Sequence, residues 1–261
     1  MSLFSAVEMA PRDPILGLNE QFNADSNPAT VNLGVGVYFD DNGKLPLLQC
    51  VQAAEKTMMD KPTARGYLPI DGIVAYDNAV KALVFGADSE PVTSGRVATV
   101  QAIGGTGGLK IGADFLKKVS PNAKVLISDP SWENHRALFT NAGFEVDTYA
   151  YYDAAKRGVN FDGMLASLNA AAAGTIVVLH ACCHNPTGYD ITPAQWDQVI
   201  AVVKAKELTP FLDMAYQGFG YGIAEDGAVI QKFVAAGLNF FVSTSFSKSF
   251  SLYGERVGGL S

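Results

Sequence analysis

The chain has 261 residues, of which 48% are hydrophobic, and a net charge of -7. That composition can bury a sizeable core and excludes a disordered chain. The acidic balance, without Lys/Arg clusters, excludes the footprint of a nucleic-acid or anionic-membrane partner. No apolar run approaches the roughly 18 residues of a spanning helix, and "MSLFSAVEMAPRDP" lacks both the basic and the apolar region of a signal peptide, so a cytoplasmic location is expected.

In chain order, short β-branched runs predict strands at 96–103 (RVATVQAI), 123–129 (AKVLISD), 145–151 (EVDTYAY), 175–181 (TIVVLHA), 209–215 (TPFLDMA) and 239–246 (NFFVSTSF). Between them, apolar residues recurring at three and four predict helices at 107–119, 133–143, 161–173 and 192–207. The helix after "GGTGG" should begin near Leu109, and the last should be capped by Thr192 with Pro193 in its first turn. Strands alternating with helices make an α/β domain with a mainly parallel sheet, and the ligand crevice of such a sheet lies beyond the carboxyl ends of its strands.

Cys50, Cys182 and Cys183 are too few for a disulfide framework. "HACCH" (180–184) holds four competent metal ligands. It continues an apolar strand, however, and alternate side chains of an extended segment point to opposite faces, so no metal is expected.

The residues closing the strands carry the candidate chemistry. Gly104 to Gly108 (GGTGG) lie between a strand and a helix, where free N–H groups favour a phosphate; without a ligand the same residues make a glycine-rich turn. They fit neither the Walker A pattern nor the dinucleotide fingerprint, in which Lys110 would stand where a third glycine belongs. Asp213 ends an apolar strand, so a buried carboxylate needing a cationic partner competes with a simple turn cap. Asn185 in "HNPTG" reads as a turn residue or an amide donor, and Trp132 as core or as a platform for a planar ligand. Lys248 is the lone cation of "VSTSFSKSFSLYGERVGG" before Arg256. A desolvated lysine near a second cation loses its proton more easily and can attack a carbonyl. The alternative is a core-facing lysine that extends its head to water. A phosphorylated pyridine aldehyde would use all of these parts, and pyridoxal 5'-phosphate is that molecule.

Through "NLGVGVY", "RGYLPIDG", "GGTGGL", "PSWENH", "CCHNPTG", "LDMAYQGFG" and "SFSKSFSLYGERVGG", in this order, the chain resembles the class I (fold type I) pyridoxal-phosphate-dependent aminotransferases, in the aspartate and aromatic-amino-acid subgroup. "SFSLYGERVGG" looks more like the bacterial aromatic-amino-acid enzymes. The resemblance implies a mixed, mainly parallel seven-stranded-type sheet with helices on both faces and part of a smaller α+β domain. Residues 1–46 would form the N-terminal arm and the start of the small domain, and 47–261 the large cofactor-binding domain. It implies that Lys248 is the Schiff-base lysine and proton carrier, that Asp213 pairs with the ring nitrogen and that His135 backs it. Tyr216 and Asn185 would hold the phenolic oxygen and Trp132 would stack on the ring. Gly105, Thr106, Ser245 and Arg256 would bind phosphate, joined by Tyr67 from a second subunit of a homodimer. Gly36, with Trp132 and Asn185, would touch the substrate.

The activity so implied is ping-pong transfer of an amino group between aspartate or an aromatic amino acid and 2-oxoglutarate. Alternatives are a β-lyase or decarboxylase on the same cofactor, because shared machinery does not decide which Cα bond breaks, a nicotinamide dehydrogenase resting on "GGTGG", or a non-catalytic fragment. The last arises because relatives run on beyond the position of Ser261 through further substrate-binding arginines, so the sequence is expected to be part of a longer protein.

Overall fold

The computed structural model describes residues 3–13, 15–34 and 36–261, which fall into two compact units, Met1–Pro46 and Leu47–Ser261. In the first, helix α1 (Leu16–Ala24) starts where the Asp13 carboxylate accepts the N–H groups of Ile15 and Leu16 at 2.9 and 2.7 Å.

The second unit opens with α2 (Gln49–Asp60), α3 (Val74–Phe85) and the short α4 (Glu90–Thr93). Strand β1 (Val100–Ile103) leads to α5 (Gly104–Val119), β2 (Lys124–Asp129), α6 (Glu133–Asn141) and β3 (Glu145–Ala150). A small hairpin, β4 (Tyr152–Asp153) and β5 (Gly158–Val159), precedes α7 (Phe161–Ala170). Then come β6 (Ile176–His180), α8 (Pro193–Ala205), β7 (Thr209–Met214), α9 (Ile223–Ala235), β8 (Phe241–Ser245) and β9 (Val257–Leu260). The main sheet has seven strands in the order β1-β9-β8-β7-β6-β2-β3, parallel from β8 to β3 and antiparallel where β9 joins β1 and β8.

The alternation expected of this sequence is therefore present, and the mixed sheet has a physical origin in β9. "VGGL" has no strand signature, because glycine is depleted in strands. Here glycine is required: a Cβ on Gly258 would stand 2.5 Å from the Gly104 carbonyl carbon. The same close approach moves the start of α5. The helix begins at Gly104 instead of near Leu109, so the glycine cluster is its first turn; a Cβ on Gly108 would lie 2.7 Å from Ser243 Oγ and 2.8 Å from the Gly259 carbonyl oxygen. Glycine costs helix propensity, but it lets α5 settle directly on β8 and β9.

Helices cover both faces. On β6 and β7, Val177, Leu179, Leu212 and Met214 face a core shared with Met164 and Leu168 of α7, Val199 and Val203 of α8, and Ile230 and Phe233 of α9. Ile176, Val178 and Phe211 face the opposite core with Leu109 and Leu116 of α5 and Phe139 of α6. Burial on both faces explains the unbroken apolar run of the central strands. Helix α8 carries the expected cap: Thr192 Oγ1 accepts the Gln195 N–H at 3.2 Å, and Gln195 Oε1 accepts the Thr192 N–H at 2.8 Å. No described helix is long and apolar enough to cross a membrane.

Candidate active site

The carboxyl ends of β6, β7 and β8 and the first turn of α5 bring one set of polar groups together. At one end of it, helix α5 presents N–H groups without a side-chain cap. Arg256 lies against that turn: a Cβ on Gly104 would be 2.6 Å from its Nη2. A Cβ on Gly105 would be 3.0 Å from the Ser245 Cβ, so the end of β8 closes the other side. Arg256 takes a positive φ of 57° and its Nη1 donates to the Tyr253 carbonyl at 3.0 Å. Among the described residues it has no carboxylate partner. Helix N–H groups, a hydroxyl and an unpaired guanidinium make a cradle for a dianion.

At the other end stands Asp213, 5% exposed at the end of β7. Its Oδ2 meets His135 Nε2 at 2.9 Å, and His135 Nδ1 meets Ser131 Oγ at 2.9 Å. A proton on Nε2 lets the ring donate to the carboxylate while Nδ1 shares a hydrogen bond with the serine hydroxyl. The Trp132 ring stands edge-on to His135 at 5.4 Å. The partner demanded by a buried carboxylate is thus a histidine from α6, 78 residues away in sequence.

Between the two ends is Lys248, half-buried, with its Nζ 5.0 Å from the centre of the Tyr216 ring. Burial lowers its pKa below the ordinary lysine value; the nearby Asp213 charge opposes this and Arg256 adds to it. No ion pair holds Lys248 among the described residues, whereas Lys110 and Lys232 are paired with Asp114 and Asp197. Tyr216 Oη accepts from Asn185 Nδ2 at 3.5 Å, and burial, then the Asp213 charge, raises the Tyr216 pKa. Lys248, Asp213, His135, Tyr216, Asn185, Trp132, Ser245, Arg256 and the Gly105–Thr106 turn thus surround the ends of adjacent strands. Tyr67 is fully exposed on the same unit. Gly36 belongs to the 1–46 unit and has no atom within 4 Å of where a Cβ would stand.

Three residues beyond these help to build the site. His180 is directly opposite Asp213 in the β6–β7 register, its ring 4.9 Å from His135 and 4.3 Å from His184, and both its ring nitrogens are shielded and without partners. Burial, then His135 and His184, lowers its pKa well below the usual value. His184, bonded to Ser128 and Thr187 and stacked on Tyr151 at 3.9 Å, is held at about 4 by burial and then by His135. Asp226 accepts the N–H groups of Gly218, Gly220 and Tyr221 at 2.8 to 2.9 Å and so fixes the loop that follows Tyr216. In the sequence, His180 and His184 stand in "HACCH", which reads as a metal motif, with His184 also within "CCHNPTG"; Asp226 has no local signal, being one of two acids in the first turn of α9.

The sequence pattern of the family "Aminotransferase class I and II" matches residues 28–261. The chain belongs to this family. The aminotransferases it resembles include the aspartate aminotransferase of Pseudomonas aeruginosa, 66% identical over 261 residues, which are all of this chain and 66% of that protein. The aromatic-amino-acid aminotransferase of Escherichia coli is 52% identical over 260 residues, 99% of this chain and 66% of that one. A crystal structure of the aromatic-amino-acid aminotransferase from Burkholderia pseudomallei, covalently bound to pyridoxal phosphate, superposes with a TM-score of 0.97 at 68% identity, covering 100% of this chain and 65% of that one. The chain thus has the fold of this aminotransferase family and spans about two thirds of the length of these relatives.

Proposed function

We propose that the whole protein is a pyridoxal-phosphate-dependent aminotransferase that exchanges an amino group between aspartate or an aromatic amino acid and 2-oxoglutarate. The observation carrying this reading is Lys248: an unpaired, half-buried amine of lowered pKa between an anion cradle and a buried carboxylate. The chain's own groups fit the cofactor. The cradle of Gly105, Thr106, Ser245 and Arg256 suits its phosphate, Tyr216 and Asn185 its phenolic oxygen, and Asp213 its ring nitrogen. Bound there, pyridoxal phosphate supplies an aldehyde and an electron-withdrawing ring.

The residues then divide the work. Asp213, held by His135, would favour a proton on the ring nitrogen of the bound cofactor. The Lys248 nitrogen, kept from holding its proton tightly, acts as nucleophile and then carries the proton that leaves the substrate Cα. Trp132 would cover the ring and, with Asn185, meet the substrate. Residues 1–46 serve as the N-terminal arm and the beginning of the small domain, and 47–261 as the large domain. A homodimer with shared sites is supported by the full exposure of Tyr67 and Ile70 and by the exposed Ile103, Ile111 and Phe115, apolar surface of the kind a second subunit covers. The location is the cytoplasm.

The test is borohydride reduction of the chain mixed with pyridoxal phosphate, followed by peptide mapping. Label on the Lys248 peptide is expected; label on Lys110 or Lys232 instead overturns the reading.

A further inference from the structure

The four donors of "HACCH" do not gather on one another. The two histidines turn toward His135 and Ser128, and the two cysteines turn elsewhere. Strand β6 ends at His180, so the alternation that would send Cys182 and Cys183 to opposite faces stops before them. Cys183 takes a φ of 50°, a left-handed conformation that a non-glycine residue holds only when its surroundings impose it. Two Asp190 bonds impose it here, because that carboxylate accepts the N–H groups of Cys183 and His184 at 2.7 and 2.8 Å. In consequence the two thiols fall on the same side of the chain, and their sulfurs and an Asp226 oxygen all lie within 4.8 Å of one another.

A third sulfur lies beside one of the two thiols. Cys182 Sγ lies 3.9 Å from the Sδ of Met214, a fully buried residue at the end of β7. The nearby carboxylates are already engaged, Asp226 by three backbone N–H groups and Asp190 by two. The remaining donors are two thiols and a thioether, a soft set that suits a monovalent copper-like ion; it falls short of the four thiolate, imidazole or carboxylate ligands that zinc takes and offers no oxygen for calcium or magnesium. Cys182 and Met214 are buried while Cys183 is partly exposed, which leaves one side open for entry.

We propose that Cys182, Cys183 and Met214 form a binding site for a thiophilic monovalent cation of the copper(I) class. Binding releases the two thiol protons and forms two sulfur–metal bonds, with the thioether as third ligand and no change in oxidation state. The site lies behind the cofactor-facing groups, since Cys183 Sγ is 3.9 Å from the Tyr216 carbonyl oxygen and Asn185 follows two residues later.

The experiment titrates copper(I) into the reduced chain, without air, against a chromogenic copper(I) chelator. The chain and its Cys50→Ser variant should each hold one equivalent, and Cys182→Ser and Cys183→Ser should surrender it. Met214→Leu, which conserves volume, should weaken binding by about tenfold because only a weak third ligand is lost. X-ray absorption of the copper-loaded chain should show sulfur neighbours alone, a measurement that needs no variant to fold. Complete loss of copper to the chelator, retention by Cys183→Ser, loss in Cys50→Ser, or nitrogen or oxygen in the first coordination sphere would each overturn the proposal.

Discussion

The anion cradle and the Asp213 wall stand on neighbouring strands of one sheet and are built in opposite ways. The cradle is largely backbone: helix N–H groups, glycines stripped of Cβ for close approach, and one exposed arginine. The wall is a side-chain chain, Ser131 to His135 to Asp213, with its histidine and aspartate at 0% and 5% exposure. Water and salt reach the first and barely reach the second. Electrostatic contributions should therefore be shared and screened in the cradle, but concentrated in single residues at the wall.

That contrast can be broken, starting with the residue between the two ends. Lys248→Ala should abolish borohydride labelling at this position and slow transamination by the full-length protein about 10⁴-fold, the upper range for a positioned acid–base group. A spectrum and rate near those of the parent would make Lys248 an ordinary core-facing lysine.

Asp213→Ala should follow at about 100-fold or more in turnover, with weaker cofactor binding, because nothing then favours the protonated ring and His135 loses its partner. The comparison fails if activity stays within about threefold, a barrier change under ~1 kcal/mol, or if cofactor affinity of this variant falls steeply with salt as a screened site would.

Acid should expose the buried side of the contrast. His184 is held neutral with a pKa of about 4, against 6.5 for the free side chain, so between these values the unfolded chain binds more protons than the folded one. Stability consequently rises with pH across that window and is lost as pH falls from about 6.5 to about 4, by up to about 3 kcal/mol from this residue. His180, shifted in the same direction, adds to the loss. Urea midpoints at pH 7 and pH 4.5 should differ less in His184→Gln than in the parent; equal differences would show that the histidine is not held neutral.

The smallest effect belongs to the cradle. Arg256→Lys keeps the charge and loses the planar fork, so pyridoxal phosphate should bind about tenfold more weakly, with a loss that varies with ionic strength. A salt-independent loss as large as that of Asp213→Ala would erase the distinction between the two ends.

Elements whose signals are local can be read from the residues alone. Six strands of the main sheet show as β-branched runs, Thr192 and Pro193 mark a helix start, and specialised residues close the strands where an α/β sheet places its crevice. The isolation of Lys248 from other charges was equally visible, because desolvation is written into the composition of its neighbours.

Tertiary structure decided the partnerships. That His135 reaches Asp213 depends on β2 and β7 flanking β6, and strand order leaves no mark on any single segment. "VGGL" becomes a strand, and "GGTGG" a helical turn, only because β9, β8 and α5 approach too closely for a Cβ. The same holds for Cys182 and Cys183. Extended backbone would have parted their sulfurs, and it is the Asp190 carboxylate, seven residues beyond Cys183, that holds the turn bringing them together. A distant group can override a local preference because backbone conformations differ by only a few kcal/mol, which one charged acceptor bonding two successive N–H groups can supply.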